Sequence, residues 1–150
     1  MSSPDDLGQR IEAFVRTFGL HRTERTPCGE PISVSQAHAL GELATQPLTQ
    51  AELARRLSLD RSVVSRLADT LIERDWLQRE RHPQDQRAVQ LVLTGAGRQA
   101  EARLAGARRA RMATLLDAVP VDERDAVLHA LDVLVSCLSQ PTAVREHHDA

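Results

Sequence analysis

The chain has 150 residues, of which 41% are hydrophobic but only 2% aromatic, with no Tyr. That length supports one sizeable core, and the core must rest on Leu, Val, Ile and Ala in a mainly helical fold. Net charge is −2, no run nears the ~20 apolar residues of a membrane span, and Cys28 and Cys137 are too few for a disulfide framework, so membrane and disulfide-scaffold classes are excluded.

The polar, acidic start MSSPDDLGQR does not read as a signal peptide, and a reduced, cytoplasmic protein is expected. The small net charge hides an asymmetry. Residues 48–111 carry 13 Arg against 8 carboxylates, a net of +5, and the remainder carries 6 Arg against 13, a net of −7. A basic middle between acidic ends fits a local footprint for a polyanion. All 19 basic residues are Arg, so every contact to a phosphate or base edge would use a guanidinium.

Leu7, Ile11, Phe14, Val15 and Phe18 recur at helical spacing, with Pro4 at the start and Gly19 at the end. Residues 21–32 hold two Pro and a Gly and read as a loop. Ser33 or Ser35 caps a second helix through about Thr45, with Ala39, Leu40 and Leu43 inward. Thr49-Gln50-Ala51-Glu52 is a capping box opening a short helix whose Leu53, Ala54 and Leu57 face inward. Ser58-Leu59-Asp60 is a turn, with Asp60 as N-cap of the next helix.

That next helix buries Val64, Leu67, Ala68, Leu71 and Ile72 and shows Arg61, Ser62, Ser65, Arg66, Asp69, Thr70 and Glu73 on its other face. The small, basic first two turns suit a DNA groove, and the acidic end does not. Asp75 ends the helix in the left-handed conformation, which Asp tolerates better than most residues. Residues 76–80 and 88–93 read as the two strands of a ribbon, with Val89, Leu91 and Leu93 on one face. RHPQDQR, residues 81–87, is its polar tip. Two short helices, a sharp turn and a charged ribbon are the layout of a winged helix-turn-helix.

After Thr94-Gly95-Ala96-Gly97 a long helix runs to about Val119, with Leu104, Ala107, Leu115 and Leu116 apolar. Pro120 starts a last helix carrying Leu128, Leu131, Leu134, Val135 and Leu138, and the polar stretch after Pro141 reads as frayed. The N-terminal helix and the last two together leave apolar surface uncovered on one subunit. Burial against a second copy through Leu7, Ile11, Phe14, Leu128, Leu131, Leu134 and Leu138 is the economical reading.

Four pieces carry a resemblance to the MarR family of bacterial transcriptional regulators over about residues 7–138. They are LTQAELARRLSLDRSVVSRLADTLIERDW, the wing DQRAVQLVLTGAG, the upstream ISVSQAHALGELA, and helices at both ends. Asp75 is a departure, because the family usually has Gly there. The resemblance implies a homodimer with entwined terminal helices, binding pseudo-palindromic operators on double-stranded DNA. Members act mostly as repressors and many are released by a small-molecule effector or by oxidation. The family's wing motif, Asp-x-Arg, falls on Asp85 and Arg87, where the Arg enters the minor groove and the Asp holds it. The expected architecture is thus mainly α with a small β-wing, a single domain over 1–150. Its winged helix spans about 33–97, flanked by dimerisation helices at about 5–20 and 98–140.

The expected DNA contacts are Arg61, Ser62, Ser65, Arg66, Arg81, Asp85 and Arg87. Against this, the four on the helix could be an ordinary solvated face, and Asp85 with Arg87 a surface ion pair. Arg79, and either Arg55 or Arg56, are further candidates for phosphate. Cys28 and His38, with His21, Glu24 or Glu30, have the chemistry of zinc ligands but no paired spacing such as CxxC or HxxxH. No cofactor or metal is expected, although a metal- or thiol-responsive regulator of the same fold stays open. A protein-binding winged helix would show apolar anchors where this helix shows Arg and Ser. The chain has no Gly-rich phosphate loop, nucleophile elbow or paired His/carboxylate motif, so it is not expected to be an enzyme.

Overall fold

The computed structural model describes residues 3–140; the stretch after Pro141, read above as frayed, lies outside them. Helices α1 (Pro4–Phe18), α2 (Val34–Thr45), α3 (Gln50–Leu57) and α4 (Arg61–Glu73) come first, with the two-residue strand β1 (Leu48–Thr49) between α2 and α3. Strands β2 (Leu77–Arg81) and β3 (Val89–Leu93) follow, then helices α5 (Gly95–Ala118) and α6 (Arg124–Leu138). By contacts the chain divides between Arg109 and Ala110 into two compact units, and the division falls inside α5. No helix among the described residues is long and apolar enough to cross a membrane.

Three helices start on reciprocal caps. Ser3 and Asp6 cap α1, Ser33 and Gln36 cap α2, and Thr49 and Glu52 cap α3. Each side-chain oxygen takes a first-turn N–H that has no partner inside the helix. Of the two serines open in the sequence, Ser33 is the cap of α2.

The first unit has one core. Leu40, Leu43, Leu53, Val64, Leu71, Leu77, Leu91 and Leu93 are all buried, joined by Ile32 from the loop and Leu104 from α5. Each such side chain contributes about 1.5–3 kcal/mol on burial. The sheet has three strands, not the two expected, in the order β1-β3-β2 with both pairings antiparallel. Leu48 pairs with Leu91. A two-residue strand is too short to show alternation, so only its partner reveals it. Leu91 and Leu93 are buried, but Val89 is 49% exposed. It pairs with Arg81 at the far end of the ribbon, where the alternation outlasts the core.

Gly97 lies three residues into α5, which begins at Gly95, earlier than residue 98. A Cβ at Gly97 would overlap the Trp76 carbonyl oxygen. The Thr94 hydroxyl accepts the Gly97 N–H at 3.0 Å and donates to the Asp75 carbonyl. In the second unit Pro120 leads into a 3-10 turn, Val121–Glu123, before α6 begins. That turn replaces the continuous helix expected from 121.

Candidate nucleic-acid interface

The turn between α3 and α4 is set by backbone geometry. Ser58 is left-handed at φ 53. Its N–H donates to the Arg55 carbonyl at 3.3 Å, and the Leu59 N–H donates to that of Ala54 at 3.0 Å. This pair of hydrogen bonds closes α3 and swings the chain into α4. Asp60 occupies the N-cap position of α4 with extended backbone, but its carboxylate makes no capping bond. The expected side-chain cap is therefore corrected to a positional one.

Val64, Leu67, Ala68 and Leu71 fix the inner face of α4. What remains outward is Arg61, Ser62, Arg66, Asp69 and Glu73, with Ser65 and Thr70 half-buried. The first turn holds no acid, so the positive end of the helix dipole and Arg61 add together. Asp75, at φ 60, ends the element. Its N–H reaches the Ile72 carbonyl at 2.9 Å, and the Trp76 N–H reaches that of Leu71 at 3.0 Å. The helix stop repeats the paired hydrogen-bond pattern that closes α3.

The wing loop between β2 and β3 is held by its own backbone. The His82 N–H donates to the Ala88 carbonyl at 2.9 Å and the Ala88 N–H to that of Asp85 at 3.0 Å. The Asp85 carboxylate accepts the main-chain N–H of Arg87 at 3.0 Å. Asp85 therefore holds Arg87 through the backbone, not through a guanidinium pair. A spacing of two is that of an Asx turn, which brings the amide within reach. The Arg87 guanidinium has no ion-pair partner among the described residues and is exposed.

The arginines sort by partner. Arg79 on β2 binds Asp69 on α4 at 2.8 Å, and Arg56 binds Glu42 of α2 at 2.9 Å. Arg74 stacks 5.2 Å over Trp76. Arg55, Arg61, Arg66, Arg81 and Arg87 have no ion pair among the described residues. The pair Arg79–Asp69 is half-exposed, which makes it weak, but it ties the wing to α4. Within α3, Glu52 is held below the ordinary glutamate range by the Thr49 N–H and then the Thr49 hydroxyl, with Arg55 and His82 adding smaller pulls.

A MarR family model matches residues 31–88, from the loop before α2 through the wing. An uncharacterised helix-turn-helix-type transcriptional regulator of Mycobacterium leprae is 29% identical over 114 residues, covering 73% of this chain and 78% of its own. The crystal structure of the PcaV transcriptional regulator of Streptomyces coelicolor is 28% identical, with a TM-score of 0.68 over 91% of this chain and 98% of that one. For PcaV in complex with its natural ligand the identity is 29% and the TM-score 0.65, over 93% and 100%.

Residues 31–88 thus resemble the MarR family.

The chain has the fold of a winged-helix transcriptional regulator, and the proteins it resembles are regulators, not enzymes. At Asp75 an Asp adopts the left-handed geometry that Gly would reach more easily. Among the described residues no three of His, Cys, Asp and Glu gather as metal ligands. Cys28 is half-buried, and Cys137 and His38 are exposed. His82, at the base of the wing, escaped the sequence reading. A lone His opening a polar loop carries no signal until its neighbours are known.

Proposed function

We propose that the protein is a sequence-specific regulator that binds double-stranded DNA as a homodimer in the cytoplasm, represses transcription and is released by a small molecule. The observation that carries the DNA reading is the outward face of α4, where Arg61, Ser62 and Arg66 are exposed and Ser65 is half-buried beside them. None of the exposed large hydrophobic residues lies on α4, which argues against a protein-docking face. Arg61 and Arg66 would meet base edges in the major groove with Ser62 and Ser65 alongside. Arg87 would enter the adjacent minor groove, where narrow A·T tracts concentrate negative potential. Arg81, on the ribbon's edge, would meet phosphate.

The dimer reading rests on exposed apolar side chains. Leu7, Ile11, Phe14, Leu128, Leu131, Leu134 and Leu138 are each 37–69% exposed in the lone chain, and neither α1 nor α6 has a buried residue. Surfaces of this kind on a chain of this size mark an interface. Effector release is supported by PcaV, which is known with a natural ligand bound.

Selection from a random-sequence duplex pool tests the reading. The expected product is a two-fold related site whose half-sites lie about one helical turn, ~34–36 Å, apart. Affinity should fall steeply with salt. A pool that shows no enrichment, or equal affinity for all duplexes, overturns it.

A further inference from the structure

His82 opens the wing loop, and its ring makes a bond that fixes its chemistry. The Gln84 N–H donates to His82 Nδ1 at 3.2 Å. With Nδ1 used as an acceptor, a neutral imidazole carries its proton on Nε2. His82 also lines a polar cleft of about 450 Å³ with Gln46, Pro47, Leu48, Glu52, Arg55 and Arg56. Two of the charges there are committed. Arg56 is bound to Glu42, and the Glu52 carboxylate takes the Thr49 N–H at 2.8 Å and its hydroxyl at 3.1 Å. The Arg55 guanidinium and the His82 Nε2–H have no hydrogen-bond partner among the described residues.

Position gives this cleft its meaning. Arg55 also lines the neighbouring cleft with Ser58, Leu59, Asp60 and Arg61, at the turn that leads into α4. One arginine therefore stands between the wing base and the start of the recognition helix. A duplex read by α4 in the major groove and by the wing in the minor groove passes its phosphate backbone between them.

We propose that Arg55 and His82 clamp a DNA backbone phosphate in this cleft, Arg55 by its charge and His82 by its Nε2–H. The proposal rests on the DNA-binding reading and adds to it one residue outside the family wing motif. It also chooses between Arg55 and Arg56, which the sequence leaves open. The contact carries no base information, so it acts equally on every sequence.

The test uses two duplexes, one selected from a random pool by the parent protein and one scrambled, each titrated over a range of salt. Arg55→Ala should weaken both roughly three- to tenfold and lower the slope of log affinity against log salt by about 0.9. Two substitutions separate the halves of the His82 ring. His82→Asn keeps an acceptor near the Nδ1 position and removes the distal donor; it should weaken both duplexes alike while melting as the parent does. His82→Gln keeps a distal donor and loses the near acceptor; it should bind close to the parent. The reverse pattern, with His82→Gln weakened and His82→Asn normal, makes His82 a turn residue only and overturns the clamp. An unchanged salt slope in Arg55→Ala also overturns it. If the parent protein enriches no duplex from the pool, the DNA-binding reading fails and the clamp with it, an outcome distinct from variants that match a binding parent.

Discussion

At the residue scale the wing tip gives the sharpest expectation. The Asp85 carboxylate faces a main-chain N–H at 3.0 Å, so its work is to hold the turn that presents Arg87. Arg87→Ala should weaken operator binding while leaving the melting temperature nearly unchanged, because the side chain is exposed and unpaired among the described residues. Asp85→Ala should weaken it less, and Asp85→Asn, which keeps the acceptor, should bind at least as well as the parent. Simple electrostatics predicts tighter binding for Asp85→Ala, since it deletes a negative charge near phosphates; that result in a matched-salt titration would refute the turn role. Arg66 belongs to the same scale. Arg66→Ala should cost about 1–3 kcal/mol and relax base preference if the guanidinium meets a guanine edge. A uniform loss across sequences would make it a phosphate contact instead.

At the element scale the caps and turns decide stability. Glu52 sits below its ordinary range because it accepts two bonds from Thr49. A depressed folded value means that the carboxylate's contribution is complete above the unfolded value and fades as pH falls through the folded one. Glu52→Gln keeps a neutral cap. Urea melts should therefore show the parent ahead of the variant at neutral pH, with the gap closing in acid; a gap independent of pH would remove the linkage. Gly97 marks the other constraint, since the Trp76 carbonyl fills the space of a side chain. Gly97→Ala should lose about 1–3 kcal/mol or more, because the obstacle is backbone and cannot rotate away. A calorimetric midpoint equal to the parent's would mean that α5 shifts freely.

At the scale of the whole molecule, charge and apolar surface fall in different places. The +5 segment, residues 48–111, contains α3, α4 and the wing. Among the described residues most of the exposed large apolar side chains lie on α1, the end of α5 and α6, with Val89 in the wing an exception. Leu131 is 48% exposed and no α6 residue is buried. Leu131→Asp should then abolish the dimer without unfolding the winged helix, since the new charge is costly only where a second copy would bury it. Sedimentation should show a monomer with unchanged helix content. A variant that still sediments as a dimer, or a parent that is monomeric at micromolar concentration, would defeat the dimer reading.

The sequence determined the parts of this protein whose physics is local. Thr49 with Glu52, and Asp75, were legible because caps and left-handed stops act over three or four residues, whereas the choice of Ser33 over Ser35 was left to the structure. Val64, Leu67, Ala68 and Leu71 were legible because a helix repeats its burial every turn. The tertiary structure alone decided what depends on partners distant in the chain. Leu48 is a strand because Leu91 lies beside it. Arg56 is committed because Glu42 comes within 2.9 Å, and Arg79 because Asp69 does, so which guanidiniums stay available could not be read from their own neighbours. His82 gains a role only through the amide of Gln84 and a cleft shared with α3. Backbone propensity is written in adjacent residues, whereas the pairing of charges and donors is a matter of distance in space, which the fold sets.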